Sequence, residues 1–210
     1  VAPTVWAWRP KRAAKMAEMI DHVLALFPFE PPYMTAEGMD CDFVGHPVAA
    51  EPIASADEKI SFRKKYDLEA AAPLLLVLPG SRKGEVTRLA KVLGEALAPI
   101  LVKHPAMRVV VPAAGPVADL VEQETKEWPI TPIILDPRGQ DLDEVMTEKR
   151  AAFAAADFGI AVSGTVALEL AAARTPMVSA YDLNWLSRIV IKQMVKIDTG
   201  NLINLVSDTR

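Results

Sequence analysis

A polar stretch that follows an aliphatic run has the residue types needed to bind an anion. In LPGSRKGE, at residues 78–85, Gly80 and Ser81 predict a tight turn and Arg82 supplies a cation. A predicted helix follows at once, and the N–H groups at the start of a helix favour phosphate. The Arg82 guanidinium could add a bidentate contact to the same anion. The alternative is a simple loop in which Arg82 is a solvated charge.

A second polar corner, SGTVALELAAARTP at residues 163–176, also opens a predicted helix. Ser163 or Thr165 could cap that helix, and Gly164 leaves the backbone open to a ligand. Glu169 lies on the same helix face as Thr165. Its carboxylate is unsuited to a phosphate but could accept two hydrogen bonds from the vicinal diol of a ribose. The alternative is a capping box with an ordinary acid near a helix start.

The N-terminal residues 3–15 place aromatic side chains beside basic ones. Trp6, Trp8, Arg9 and Arg12 are therefore candidate contacts with lipid headgroups or with an anionic substrate. The alternative is that one tryptophan packs in the core while the basic helix face is solvated.

Composition restricts the class of protein. The chain has 210 residues, of which 51% are hydrophobic and 24% charged, as in a globular protein. A net charge of −4 gives no support for nucleic-acid binding. The single cysteine, Cys41, cannot form an internal disulfide and fits a reducing compartment. Neither histidine spacing nor any cofactor motif indicates a metal site, so we expect no metal and no cofactor.

Short apolar runs alternate with stretches of helical periodicity, which predicts a doubly wound α/β sheet. The expected strands are residues 74–79, 108–113, 131–136, 158–162 and 177–181. Ligands of such sheets bind at the carboxyl ends of the strands. Both polar corners follow strands of this one sheet, and together they favour a nucleotide site over the alternatives.

The first fifty residues have the pattern of a separate unit. Residues 1–50 resemble the end of another α/β domain, and the proline-containing residues 51–60 are the expected linker. Residues 61–210 form the predicted nucleotide-binding domain. The chain starts without a methionine, and we expect it to be a piece of a longer protein.

Five motifs in order carry a resemblance to a known family: VWAWRPKR, FPFE, FVGHP, LPGSRKGEV and SGTVALE. The chain resembles the lipid-A-disaccharide synthases, bacterial inverting glycosyltransferases with two Rossmann-like domains in the GT-B fold. The resemblance covers essentially the whole chain. It implies that residues 1–50 end an acceptor-binding domain, and that residues 61–210 are a UDP-sugar-binding domain truncated at its C-terminus.

The resemblance also implies the reaction and the residues that bind the donor. UDP-2,3-diacylglucosamine would react with 2,3-diacylglucosamine 1-phosphate to give lipid A disaccharide phosphate and UDP. Arg82 and Glu169 match the positions for the diphosphate and the ribose, and Asn204 in LINLV matches a family asparagine, although Ile203 replaces a proline. The family's candidate base lies in a part that this chain lacks, so no catalytic residue is assigned and this chain alone is expected to be inactive.

The resemblance implies a peripheral enzyme on the cytoplasmic face of the inner membrane, with a homodimer as a further candidate assembly. Two alternatives stay open. One is another GT-B enzyme that uses a UDP-sugar, such as a peptidoglycan glycosyltransferase or a UDP-sugar 2-epimerase. The other is a nucleotide-binding module without catalysis. Tests with different substrates would separate them.

Overall fold

The computed structural model describes residues 2–7, 11–162, 164–182 and 202–207. It groups the chain into two compact units. Residues up to Glu51 form the first unit together with the helix Leu202–Ser207, and Pro52–Asp182 form the second. The sequence prediction assigned residues 61–210 to one domain. The structure differs at Leu202–Ser207 because the contacts of this helix group it with the first unit.

The described part of the first unit contains a pair of parallel strands with helices beside them. Its elements are α1 Lys11–Ala17, β1 His22–Ala25, α2 Pro31–Thr35, β2 Asp40–Phe43 and a 3₁₀ turn Pro47–Ala50. Buried Val5, Val23 and Met34 form the centre of a small core.

The second unit has the predicted doubly wound architecture. Its elements are α3 Ala56–Lys65, β3 Leu74–Leu78, α4 Lys83–Lys103, β4 Arg108–Pro112, α5 Ala118–Thr125, β5 Ile133–Leu135, α6 Leu142–Ala155, β6 Phe158–Val162, α7 Val166–Ala172 and β7 Met177–Ala180. In the described residues, five parallel strands lie in the order β5-β4-β3-β6-β7. All five predicted strands are confirmed.

Helix α3 begins inside the segment that the sequence predicted as linker. Ser55 accepts a hydrogen bond from the Glu58 N–H at 3.1 Å, and the Glu58 carboxylate accepts one from the Ser55 N–H at 2.7 Å. This reciprocal capping box satisfies two N–H groups that the helix cannot pair internally. The capping box starts α3 at Ala56, so the linker is shorter than the predicted residues 51–60.

The central strand β3 is buried along its whole length, as its continuous apolar sequence predicts. Leu74 and Leu76 pack on one face of the sheet with Phe62 of α3 and residues of α6. Leu75 and Val77 pack on the other face against the apolar stripe of α4. This packing on both faces fixes the register of the sheet, and with it the positions of the loops at the carboxyl ends of the strands.

Candidate functional site

The strand order brings the two polar corners together. From β3 the chain winds outward through β4 to β5, and then crosses back to place β6 on the other side of β3. In open α/β sheets, ligands bind in the crevice where the winding changes direction in this way. Leu78 at the end of β3 lies opposite Ala161 near the end of β6. The loop after β3 and the corner after β6 therefore leave the sheet side by side.

The turn after β3 already holds an anion, which is the side chain of Glu85. The Glu85 carboxylate accepts hydrogen bonds from the N–H groups of Ser81 at 3.1 Å and Arg82 at 3.3 Å. The Arg82 Nη1 donates to the same carboxylate at 2.9 Å. Sequence reasoning missed Glu85, although its position three residues after Arg82, the N-cap of α4, is the spacing of a capping box.

Gly80 is needed for this arrangement of the turn. Its φ of +116° lies in a region that residues with a Cβ rarely adopt. A Cβ at Gly80 would also lie 2.6 Å from the Cβ of Glu85. The turn and the first turn of α4 are thus packed directly against each other, and a larger residue would push them apart.

Arg82 is the exposed cation of this turn. Its side chain is 81% exposed, whereas that of Glu85 is 23% exposed. Exposed ion pairs contribute about 0–1 kcal/mol, so turning the guanidinium from Glu85 to an incoming anion costs little. The backbone N–H groups of Ser81 and Arg82 are engaged by Glu85, which leaves the guanidinium and the exposed Ser81 hydroxyl to meet a ligand.

The corner after β6 is only partly as predicted. Ser163 lies outside the described residues. Of the two predicted caps, Thr165 is the N-cap of α7, but its side chain makes no capping hydrogen bond. The reason is its backbone, which has the helical values φ −62° and ψ −23° instead of the extended conformation of a capping residue.

Gly164 supplies both the turn and open space. Its φ of +149° lies in the region that favours glycine. A Cβ built on Gly164 would find no atom within 4 Å. The glycine is therefore required by the backbone conformation, and the space above it is open on the side of the sheet edge where a ligand would lie.

Glu169 forms an ion pair with Lys149 of α6. The two side chains are 25% and 33% exposed, so both are accessible but partly shielded from water. Thr165 gives no capping bond, and the Glu169 carboxylate is paired with a lysine of another helix. The capping-box alternative for Glu169 is therefore not supported by the described residues. Sequence reasoning gave no indication of Lys149.

A second cation at this edge is committed to other groups. Arg138, after β5, contacts Asp136 at 2.6 Å and Asp119 at 2.8 Å. These contacts with the guanidinium lower the pKa of both carboxyl groups and raise the pKa of Arg138. Arg138 is neutralised by these partners and is less suited than Arg82 to bind a diphosphate.

Two cavities differ in their suitability for a nucleotide. A small cavity of about 40 Å³ lies at the ends of β4 and β5, where it is lined by Pro112, Leu135 and Lys149 among others. A cavity of about 670 Å³ lies between α3 and α6. The acidic residues that line it are Asp57, Glu58, Asp143, Glu144 and Glu148. Lys65 is the cation in this lining, where it pairs with Glu148. The excess of carboxylates would repel a diphosphate, so this cavity is less suited to a nucleotide than the crevice between β3 and β6.

The structure corrects the prediction for Trp6. Its side chain is 8% exposed, and its indole N–H donates to the Glu30 carboxylate at 3.2 Å. The ring also packs edge-on against Phe29, with centroids 5.1 Å apart. Trp6 is a core residue because both its apolar ring and its N–H have partners inside the unit. Trp8 and Arg9 lie outside the described residues, and Arg12 is exposed on α1.

Glu30 is a buried carboxylate that the sequence analysis quoted in FPFE without assigning it a role. It is 2% exposed. Besides the Trp6 indole, it accepts hydrogen bonds from the N–H groups of Leu26 and Phe27, each at 2.9 Å. These three donors satisfy the carboxylate, so Glu30 fixes the loop that follows β1.

The other predicted contacts are less defined. Asn204 lies in the half-buried helix Leu202–Ser207 of the first unit, and its role in nucleotide binding stays a prediction. Among the described residues there is no group of three His, Cys, Asp or Glu side chains that could hold a metal. Within the same part of the chain, no helix has the length and apolar character needed to cross a bilayer.

The fold, together with the carboxyl edge of its five-stranded sheet, defines an α/β protein of the GT-B class. An S. aureus structure, MnaA with UDP, matches 91% of this chain and 52% of its own chain, with a TM-score of 0.60 and 14% sequence identity. An Anabaena structure, Alr3699/HepE in complex with UDP and glucose, matches 81% of this chain and 47% of its own chain, with a TM-score of 0.50 and 12% sequence identity. These likenesses confirm the predicted fold.

The family model of lipid-A-disaccharide synthetase matches residues 1–210, and the chain belongs to this family. The lipid-A-disaccharide synthase of Ruegeria pomeroyi is 60% identical over 210 residues, which are 100% of this chain and 52% of that protein. The enzyme of Rhodospirillum centenum is 44% identical over 208 residues, 99% of this chain and 50% of that protein. The chain thus spans about half the length of these curated relatives.

Proposed function

We propose that the whole protein joins UDP-2,3-diacylglucosamine to 2,3-diacylglucosamine 1-phosphate, forming lipid A disaccharide phosphate and releasing UDP. The family match along the entire chain is the observation that carries this proposal. The site adds physical support, because an exposed arginine and a partly shielded carboxylate follow neighbouring strands at the point where the winding reverses. A nucleoside diphosphate needs these two kinds of group.

In this proposal Arg82 binds the diphosphate, and Gly80 and Ser81 shape the turn that presents it. Glu169 accepts hydrogen bonds from the ribose hydroxyls, and Gly164 gives the nucleotide access to the backbone of the corner. Ser163, Thr165 and Asn204 complete the predicted set of contacts. The donor is held across the crevice between β3 and β6.

Binding by Arg82 is favourable because its present partner is easily replaced. Its exposed pair with Glu85 contributes at most about 1 kcal/mol. A hydrogen bond to a charged group contributes about 1.5–3 kcal/mol, and a guanidinium can make two to a phosphate. Arg82 donates one hydrogen bond to the Glu85 side chain, so exchange to a phosphate gains a second one. The Ser81 and Arg82 N–H groups meanwhile keep the turn in shape around Glu85.

The same contact supports the reaction. The acceptor 6-hydroxyl attacks the anomeric carbon of the donor, the bond from that carbon to the diphosphate oxygen breaks, and UDP departs with the electron pair. Negative charge builds up on the departing diphosphate, and a fixed guanidinium stabilises it. Arg82 is the group we propose for this role. A base for the acceptor hydroxyl is not assigned.

We also propose that the protein acts at the cytoplasmic face of the inner membrane as a peripheral protein. The lipid substrates carry acyl chains, and the exposed Arg12 of α1 could contact anionic headgroups together with Trp8 and Arg9. A homodimer stays a candidate assembly.

The proposed role of Arg82 is tested by calorimetric titration with UDP. Arg82→Met should weaken UDP binding by about tenfold or more, since at least one charged hydrogen bond is lost. Arg88→Met is the matched control, because Arg88 is exposed on α4 one and a half turns further along. Equal effects of both substitutions would mean that only net charge matters. The activity itself is tested by UDP release when both lipid substrates are supplied to the whole protein.

A further inference from the structure

A lysine from a neighbouring helix fixes the carboxylate that we propose for ribose binding. Glu169 lies on α7 and Lys149 on α6, and their side chains form an ion pair through the Glu169 Oε2. The pair joins elements that are distant in the sequence. It therefore depends on the packing of α6 and α7 and is not a local feature of α7.

The Lys149 ammonium also contacts an aromatic ring of its own helix. Its ammonium lies 5.4 Å from the centroid of the Phe153 ring, a residue one turn further along α6. Lys149 also lines the small cavity at the ends of β4 and β5, together with Pro112 and Leu135. The lysine thus lies between this cavity and Glu169, at the carboxyl edge of the sheet.

The geometry leaves the carboxylate able to bind a diol. A carboxylate has two oxygens and about four acceptor positions. Within the part of the chain that the structure describes, Lys149 contacts Oε2, which leaves Oε1 and the remaining acceptor positions of Oε2 for two hydroxyls. A free glutamate side chain loses rotational freedom when it binds a ligand, whereas a carboxylate that is already fixed loses less.

We propose that Lys149 is a positioning residue of the nucleotide site: it fixes the Glu169 carboxylate in place for the ribose diol. This inference rests on the proposed role of Glu169 in nucleotide binding. Lys149 acts through Glu169 and does not contact the nucleotide.

The test is a double-mutant cycle measured by calorimetric titration with UDP. Lys149→Met should weaken UDP binding by about fivefold, because this is the change in affinity that corresponds to the loss of a partly shielded ion pair. In the Glu169→Gln background the same substitution should change affinity by less than about twofold. Lys149→Arg keeps the charge and should restore most of the affinity. With 2′,3′-dideoxy-UDP, Lys149→Met should have little effect, because the diol is absent.

Arg150→Met is the matched control, because Arg150 is the next residue on α6 and pairs with Glu58 of α3. It should lower thermal stability and leave UDP affinity unchanged. An equal loss for Lys149→Met with and without Glu169, or with and without the diol, would overturn the inference. It would also be overturned if Glu169→Gln weakened binding while Lys149→Met did not, a result that leaves the proposed role of Glu169 intact. If Glu169→Gln left the affinity for UDP unchanged, both the proposed role of Glu169 and the inference about Lys149 would be overturned.

Discussion

Removal of the Glu85 carboxylate should loosen the turn that carries Arg82. In the structure this carboxylate accepts hydrogen bonds from the Ser81 and Arg82 N–H groups and from the Arg82 guanidinium. Glu85→Ala removes all three and leaves the two backbone groups to water. Glu85→Gln keeps the size and one acceptor oxygen but removes the charge.

The size of the effect follows from the exposure of each contact. A side chain that caps backbone N–H groups at a helix start contributes about 1–2 kcal/mol. The ion pair adds less than about 1 kcal/mol, because the Arg82 side chain is mostly in water. We expect Glu85→Ala to lower the free energy of unfolding of the second unit by about 2 kcal/mol, and Glu85→Gln by about 1 kcal/mol.

Two measurements test this prediction. Urea unfolding gives the change in the free energy of unfolding, and hydrogen exchange reports the Ser81 and Arg82 N–H groups directly. Both amides should exchange faster in Glu85→Ala than in the unaltered chain. Glu95→Ala is the control, since Glu95 is an exposed residue of α4 that pairs with Lys91 at 4.0 Å. It should change stability by less than about 0.5 kcal/mol.

The reasoning would be refuted if Glu85→Ala and Glu95→Ala had the same effect on stability. It would also be refuted if Ser81 and Arg82 kept their exchange protection without the carboxylate. Either result would mean that Gly80 and the packing of β3 shape this turn without help from Glu85.

Three further predictions concern the corner after β6, the first unit and α3. Gly164→Ala should lower the free energy of unfolding by about 1–2 kcal/mol from backbone strain alone, since its Cβ meets no atom within 4 Å; an equally stable variant in urea unfolding would contradict this. Glu30→Gln should lower the free energy of unfolding by about 2–4 kcal/mol, because the amide N–H₂ of glutamine must face an N–H donor in this buried site. Calorimetric unfolding tests this, with the exposed Glu37→Gln as the control. Burial and the hydrogen bond to Glu148 raise the pKa of Tyr66 to about 12, so the stability from its protonated form should be lost as pH rises from about 10 to about 12. Absorbance titration against Tyr66→Phe should show this late ionisation, and a normal pKa would contradict it.

The sheet could be predicted because its strands are marked by composition alone. Strands buried on both faces have continuous apolar sequences. In α4, Val86, Leu89, Leu93 and Leu97 recur at helical spacing, and all four are buried.

The contacts between elements could not be predicted in the same way. Lys149 is one of many charged residues on α6, and its partner Glu169 is twenty positions away on another helix. The burial of Trp6 depends on Glu30, which supplies an acceptor for its indole from outside the aromatic-basic segment. Thr165, one of the two residues expected to cap α7, has a helical backbone conformation and makes no capping bond, and a residue type alone does not determine that conformation. Glu85 was detectable from its spacing to Arg82, which is that of a capping box.

Hydrogen exchange of the chain with and without UDP tests most directly whether the nucleotide binds between β3 and β6. UDP should slow exchange in the turn at residues 80–86 and in the corner at residues 164–172. Exchange around the acidic cavity, at residues 57–65 of α3, should stay unchanged. Protection of that cavity with no change at either corner would contradict the account.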